Sequence, residues 1–261
     1  MKYRLDKILI DRKLVLSREK AKANILAGNV LVDNLPITKV GFLVSENAEI
    51  RIKKEDKYVS RGGIKLESAL ENLSIKVDNL VVLDIGSSTG GFTDCLLQHG
   101  AKLVYSVDVG TNQIDYKLRI NPQVIVLENL NAKMLSNKHF NHNINLAVID
   151  VSFISLSKVL LPIVSILTDK IILALVKPQF EVGKDINNFK GVVRSSEHHL
   201  MALNDVNNYA KSLGLYAKSA CFSPIKGPKG NIEFFILWTN EEIEQEINFK
   251  SIVEEAHSNL S

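Results

Sequence analysis

Four apolar runs in this chain stop on a charged residue: VVLD on Asp84, VYSVD on Asp108, LAVID on Asp150 and IILALVK on Lys177. A single lysine at the end of a buried strand is ordinarily a side chain reaching for solvent. Three carboxylates and an ammonium at the ends of neighbouring runs describe a polar crevice along one edge of an apolar sheet. A lysine held among carboxylates in such a crevice can take or steer a proton, because desolvation and neighbouring charge both act on its affinity for that proton. Glu233 joins the group by topology. The stretch CFSPIKGPKGNIEFFILW reads as a strand, a Gly/Pro turn and a returning strand. An antiparallel last strand would begin at the edge where parallel strands finish, and Glu233 opens it.

A second constellation lies in LDIGSSTGGFTDCLL, which reads as strand, glycine turn and helix. Glycines let backbone approach a ligand closely, and a helix N-terminus offers unpaired N–H groups. The spacing Gly86-x-x-x-Gly90-Gly91 differs from the G-x-G-x-x-G of dinucleotide folds. Asp108 ends the next strand about twenty residues on, where an acid can hold ribose hydroxyls. A nucleoside ligand fits this arrangement. With no pyrophosphate cradle, S-adenosylmethionine is a better candidate than a nicotinamide dinucleotide.

The elements that must position these residues are legible as apolar runs separated by helix-sized gaps: NLVVLDIG, KLVYSVDVG, QVIVLEN, INLAVIDVSF, DKIILALVKP, LYAKSACFSP and NIEFFILW. Such alternation predicts a mostly parallel α/β sheet, with ligands outside the carboxyl ends of its strands. Upstream, residues 5–28 place apolar side chains at helical spacing, with Ser17 as the expected cap of a second helix and Gly28 as its stop. NVLVDNLPI then predicts a hairpin turning at Asp33-Asn34, and AEIRI closes a small module near Ile52. The charged stretch KKEDK, residues 53–57, is the expected linker. Domains are therefore expected at 1–57 and 58–240, followed by a polar tail at 241–261 forming a frayed or surface helix.

Composition bounds the class. The chain has 261 residues, 46% hydrophobic and 23% charged, which fits a globular protein rather than a disordered one. No apolar stretch approaches the roughly eighteen residues of a membrane span. The charge-dotted start MKYRLDKILIDRK does not read as a secretory signal. Two distant cysteines, Cys95 and Cys221, fit a reducing cytoplasm and indicate neither a disulfide framework nor a zinc site. Residues 1–57 carry thirteen Lys/Arg against eight Asp/Glu, while the rest carries nineteen against twenty-one. A basic module on a near-neutral body points to a polyanionic partner.

The stretch RLDKILIDRKLVLSREKAKANILAGNVLVDN resembles the S4 RNA-binding domain, from its Arg-Leu-Asp opening through Ser-Arg to the Gly-x-Val-x-Val hairpin. Asn34 stands where that family often has glycine, and asparagine tolerates the left-handed turn. S4 domains bind structured RNA through phosphates and shape, and on this resemblance Arg4, Lys7, Arg18 and Lys22 are the RNA contacts. The body resembles the FtsJ-like RNA 2′-O-methyltransferases through YVSRGGIKL, LDIGSSTGGFTDCLL, SVDVG, VIDVSFISL, LVKPQFE and KGNIEFF. The order of the two modules resembles the TlyA family of rRNA methyltransferases, historically called hemolysin A. This likeness implies a Rossmann-like class I methyltransferase sheet behind a small α+β S4 domain. It also implies 2′-O-methylation of rRNA ribose at cytidines, with S-adenosylmethionine as cofactor and rRNA or ribosomal subunits as partners.

By the same resemblance the catalytic Lys-Asp-Lys-Glu set falls on Lys65, Asp150, Lys177 and Glu233. Asp84, Gly86, Ser88, Gly90, Gly91, Phe92 and Asp108 surround the cofactor, with Asn129 on the adenine side. A ribose hydroxyl is a poor nucleophile until its proton is removed or polarised. Lys177 is assigned that task and Asp150 its orientation, while Lys65 and Glu233 complete the network and place the ribose. Either lysine can be the one that gives up its proton. Other readings have less behind them. A membrane-active hemolysin needs an apolar or strongly amphipathic segment, and an RNA-binding protein with an inactive body would be natural if the set were broken. His198-His199 and the His139/His142 pair have no accompanying ligands at metal spacing and read as surface histidines. Cys95 reads as a small packing residue.

Overall fold

A computed structural model describes residues 2–53, 56–182, 191–243 and 246–260, and the chain divides into two units, residues 1–56 and 57–261. In the first, β1 (Lys2–Arg4) runs into α1 (Leu5–Asp11), followed by α2 (Arg18–Leu26), β2 (Val30–Val32), β3 (Leu35–Pro36), β4 (Leu43–Ser45) and β5 (Ile50–Ile52). The Ser17 hydroxyl accepts the Lys20 N–H at 3.2 Å and so caps α2. Asp33 and Asn34 both take positive φ, 49° and 68°, the pairing a two-residue type I′ turn requires between β2 and β3. β1 pairs with β4, and β2 lies between β3 and β5. Leu5, Leu9, Ile25 and Val30 are wholly buried at the centre of this unit.

One buried carboxylate organises its basic face. Asp6 on α1 is fully buried, and Arg4 donates to both its oxygens at 2.9 and 3.1 Å. Arg18 Nε lies 3.6 Å from Asp6 Oδ2. The Arg4 hydrogen bonds hold the Asp6 carboxyl below the usual range against its burial, with Arg18 helping. Arg4, Lys7, Arg18 and Lys22 are all exposed.

The second unit opens with α3 (Gly62–Asn72), β6 (Val81–Ile85), α4 (Gly91–Gln98), β7 (Leu103–Val107), α5 (Tyr116–Arg119), β8 (Val124–Leu127) and β9 (Leu146–Ile149). It continues through α6 (Leu160–Ile166), β10 (Ile172–Val176), α7 (Pro178–Glu181), α8 (Ser196–Ser212), β11 (Tyr216–Phe222), β12 (Phe234–Thr239) and α9 (Phe249–Leu260). Seven strands form one sheet in the order β11-β12-β10-β9-β6-β7-β8. Only β12 runs against the others.

Both faces of the sheet are covered, which is why its strands read as continuous apolar runs. Val82, Val104, Val148 and Leu173 pack on one face, and Leu83, Tyr105, Ile149 and Trp238 on the other. The chain moves outward from β6 through β7 to β8, then returns to lay β9 on the other side of β6. The strand order therefore reverses between β6 and β9, and ligands of open α/β sheets bind in the crevice at such a switch point.

The C-terminal stretch carries a surface helix: α9 buries Phe249, Val253 and Ala256 and packs on α8. One residue departs from the sequence expectations: His199 is not a surface residue. It is fully buried, edge-on to the Phe234 ring, with Nδ1 2.8 Å from His257 Nε2 on α9. Burial pushes its imidazole down to about 4. A short polar motif in the sequence gives no sign that a long-range helix contact will cover it.

Candidate active site

Lys177 follows the last residue of β10, and Pro178 at once starts α7, so the chain is fixed on both sides of the lysine. Its stem runs out from the apolar strand and the residue is only 8% exposed. Its Nζ lies 2.5 Å from Asp150 Oδ1 and donates to Ser152 Oγ at 2.8 Å. Asp150 comes straight after β9, whose Ile149 is in parallel register with Ala174 of β10. Glu233 precedes β12, and Phe234 pairs with Val176. The antiparallel direction of β12 thus brings Glu233 to the edge where β10 ends. Lys65 reaches the same edge from α3, donating to Glu233 Oε2 at 2.5 Å. Lys65 and Glu233 are 7% and 1% exposed, so neither charge is left to bulk water. Buried charges persist when paired and hydrogen-bonded, as Lys65 and Glu233 are, and on the same sheet edge Lys177 makes an ion pair with the partly exposed Asp150.

The glycine turn after β6 forms the neighbouring wall. Gly86 has φ of +82°, and a Cβ there would sit 2.5 Å from the Asp150 carbonyl oxygen. Only glycine lets β6 and β9 end this close together. A Cβ on Gly91 would strike Ser60 and the start of α3, so that glycine sets how closely α3 and α4 approach. Asp108, one residue past β7, accepts the Ser88 N–H at 2.8 Å and the Gly110 N–H at 2.7 Å. Each of its oxygens keeps a lone pair.

Three adjoining cavities open around these groups. The largest, about 490 Å³, is bounded by Gly86, Ser88, Asp108 and Asp150, with Val107 and Leu130 among its apolar residues. That volume lies in the range of small-molecule sites. A second, about 320 Å³, takes in Arg61, Lys65, Gly91, Phe92 and Asp150. A third, about 240 Å³, takes in Phe153, Lys177, Gln179 and Glu233. The smaller two each receive one member of either ion pair, Lys65 with Asp150 in one and Lys177 with Glu233 in the other.

Residues 58–240 match the family described as FtsJ-like methyltransferase, and residues 4–50 match the S4 domain. This chain belongs to the FtsJ-like methyltransferases. It is 39% identical to the 16S/23S rRNA (cytidine-2′-O)-methyltransferase TlyA of Mycobacterium tuberculosis over 261 residues, 99% of this chain and 97% of that protein. It is 41% identical to hemolysin A of Brachyspira hyodysenteriae over 233 residues, 88% of this chain and 97% of that protein. A solved chain from Streptococcus thermophilus, designated a hemolysin, superposes with a TM-score of 0.76 at 40% identity. It covers 99% of this chain and 96% of its own length. Among the described residues no helix is long and apolar enough to cross a membrane.

In this FtsJ-like methyltransferase the residues singled out from sequence fall into two groups. Gly86, Ser88 and Asp108 line the largest cavity, and Gly91 and Phe92 the second. Three others stand back from all of these cavities. β6 runs one residue past Asp84, which is fully buried and accepts the Thr93 hydroxyl at 2.6 Å. Burial pushes its carboxyl up to about 7, against the pull of that hydrogen bond. Gly90, at φ of +93°, backs onto Leu118. Asn129 is exposed, donating its backbone N–H to Gly110, while the next residues, Leu130 and Asn131, line the largest cavity. Ser152, which accepts from Lys177, was not singled out from sequence. Its signal was its place two residues after the strand-end Asp150. Cys95 is wholly buried, with its thiol pushed up to about 12 by burial, as suits a packing residue.

Proposed function

We propose that this methyltransferase transfers a methyl group from S-adenosylmethionine to the ribose 2′-hydroxyl of cytidine in rRNA. The pairing of Lys177 with Asp150, and of Lys65 with Glu233, around cavities that adjoin a nucleoside-sized one carries this reading. When bound, the cofactor supplies an electrophilic methyl group on a sulfonium. Asp108 accepts the hydroxyls of its ribose, the backbone at Gly86 lets it lie close to the sheet edge, and Val107 and Leu130 cover its base. Lys177 takes or polarises the proton of the substrate hydroxyl, held in line by Asp150 and Ser152. Lys65 and Glu233 place the substrate ribose. The basic face of the S4 domain captures rRNA phosphates, and the work is done in the cytoplasm, where ribosomes are. The name of the M. tuberculosis relative supports the choice of cytidine and of rRNA.

The direct test maps 2′-O-methyl groups in 16S and 23S rRNA from cells with and without this protein. One or more cytidines should lose their methyl group in its absence. Identical maps would overturn the reading and favour a binding protein or the membrane activity suggested by the name hemolysin. The cofactor assignment has its own test. Asp108→Ala should weaken S-adenosylmethionine binding by roughly 1–3 kcal/mol, the scale of hydrogen bonds to a charged group. Calorimetry on the folded variant showing unchanged affinity would remove Asp108 from the site.

A further inference from the structure

The third cavity is lined by a residue whose side-chain amide the arrangement so far leaves unused. Gln179 lies on α7, two residues beyond Lys177, and its side-chain Oε1 is buried with no hydrogen-bond partner among the described residues. A buried acceptor without a donor is uncommon in folded proteins and costs free energy. The other amide in this cavity is already committed: Asn231 accepts the Val193 N–H and donates to the Gly191 carbonyl, both at 2.9 Å. The position of Gln179 is fixed from below. Glu181, on the same short helix, accepts from the Ser155 hydroxyl at 2.6 Å and the Leu156 N–H at 2.9 Å. The Phe153 and Phe180 rings, with centroids 5.2 Å apart, supply apolar walls. Lys177 and Glu233 border the same space.

A cavity with aromatic walls, an amide acceptor that no described donor meets and a volume near 240 Å³ suits a planar nucleobase whose ribose sits at Lys177. Enzymes that act on one nucleotide commonly read its extruded base by hydrogen bonds to the Watson–Crick edge. We infer that Gln179 selects the target base, its Oε1 accepting the 4-amino N–H of cytosine. This rests on the proposed cytidine 2′-O-methylation and adds a specificity-determining residue to it. Uracil presents a carbonyl at that position, where the amino group of cytosine presents a donor.

The test uses rRNA assembled by ligation with cytidine, uridine or 2-pyrimidinone ribonucleoside at the mapped position, the last lacking the 4-amino group. Single-turnover kcat/KM is read for the parent protein, Gln179→Leu and Gln179→Glu. For the parent, removing the amino group should lower kcat/KM about tenfold or more, the scale of a base-edge contact. Gln179→Leu should lose a similar factor on cytidine and be indifferent to removal of the amino group. Gln179→Glu, still an acceptor, should lose less on cytidine than Gln179→Leu and discriminate further against uridine. S-adenosylmethionine affinity should be unchanged in both variants. Equal losses on all three RNAs, or no loss, would overturn the role of Gln179 while leaving cytidine methylation intact. A parent protein that fails to methylate the cytidine RNA would overturn both readings together.

Discussion

Replacing Lys177 with alanine is expected to lower single-turnover methyl transfer to rRNA by a factor on the order of a hundred or more, typical of a positioned acid–base group. The side chain donates to Ser152 and pairs with Asp150 at the end of β10, so its loss removes the only described cation in contact with either group. S-adenosylmethionine affinity should change little, because Lys177 borders the third cavity and not the largest one. Lys177→Arg separates two roles. A guanidinium keeps the positive charge but does not release a proton at accessible pH. A loss nearly as large as that of alanine supports proton removal, whereas an arginine variant retaining most activity would leave only polarisation and positioning. Parent rates in both variants would return Lys177 to the status of a lysine at a strand end. Tritiated methyl incorporation, with calorimetry on the same proteins, reads all three outcomes.

The second large effect is expected in RNA capture. Asp6 is buried and held by Arg4 and Arg18, so replacing both arginines with alanine would strand an unpaired carboxylate and threaten the fold. Glutamine at both positions still donates to Asp6 without the charge. Combined with Lys7→Ala and Lys22→Ala, it should weaken rRNA binding by about two to three orders of magnitude near 0.1 M salt. The dependence of log affinity on log salt should flatten by up to about four. Circular dichroism checks that the first unit remains folded. An unchanged affinity and salt slope would show that this face is not the phosphate-binding one.

The sequence alone determined whatever a short window of chain encodes. Ser17 caps its helix because a hydroxyl three residues before an N–H needs no distant partner. Asp33 and Asn34 turn the hairpin because both side chains tolerate positive φ. The strand-end placement of Asp108, Asp150 and Lys177 was legible because residues buried on both faces read as apolar runs, and charge can enter only where they stop. Even the approach of Glu233 followed from the single antiparallel strand that a Gly/Pro turn implies.

The resemblance set Asp150 beside Lys177, but only the tertiary structure decided that Lys65 meets Glu233 directly. Lys65 and Glu233 are 168 residues apart, and their contact depends on α3 meeting the far end of the sheet, which no local pattern encodes. Asp84 illustrates the same limit. In the sequence its apolar run VVLD ends on it, yet β6 continues through Ile85, so the pleat turns the carboxylate into the interior toward Thr93. The unpartnered acceptor on Gln179 and the His199–His257 contact likewise arise from packing between elements distant in the chain. Propensity and periodicity act over a few residues, whereas the partners of a buried polar atom are fixed by strand order and helix docking.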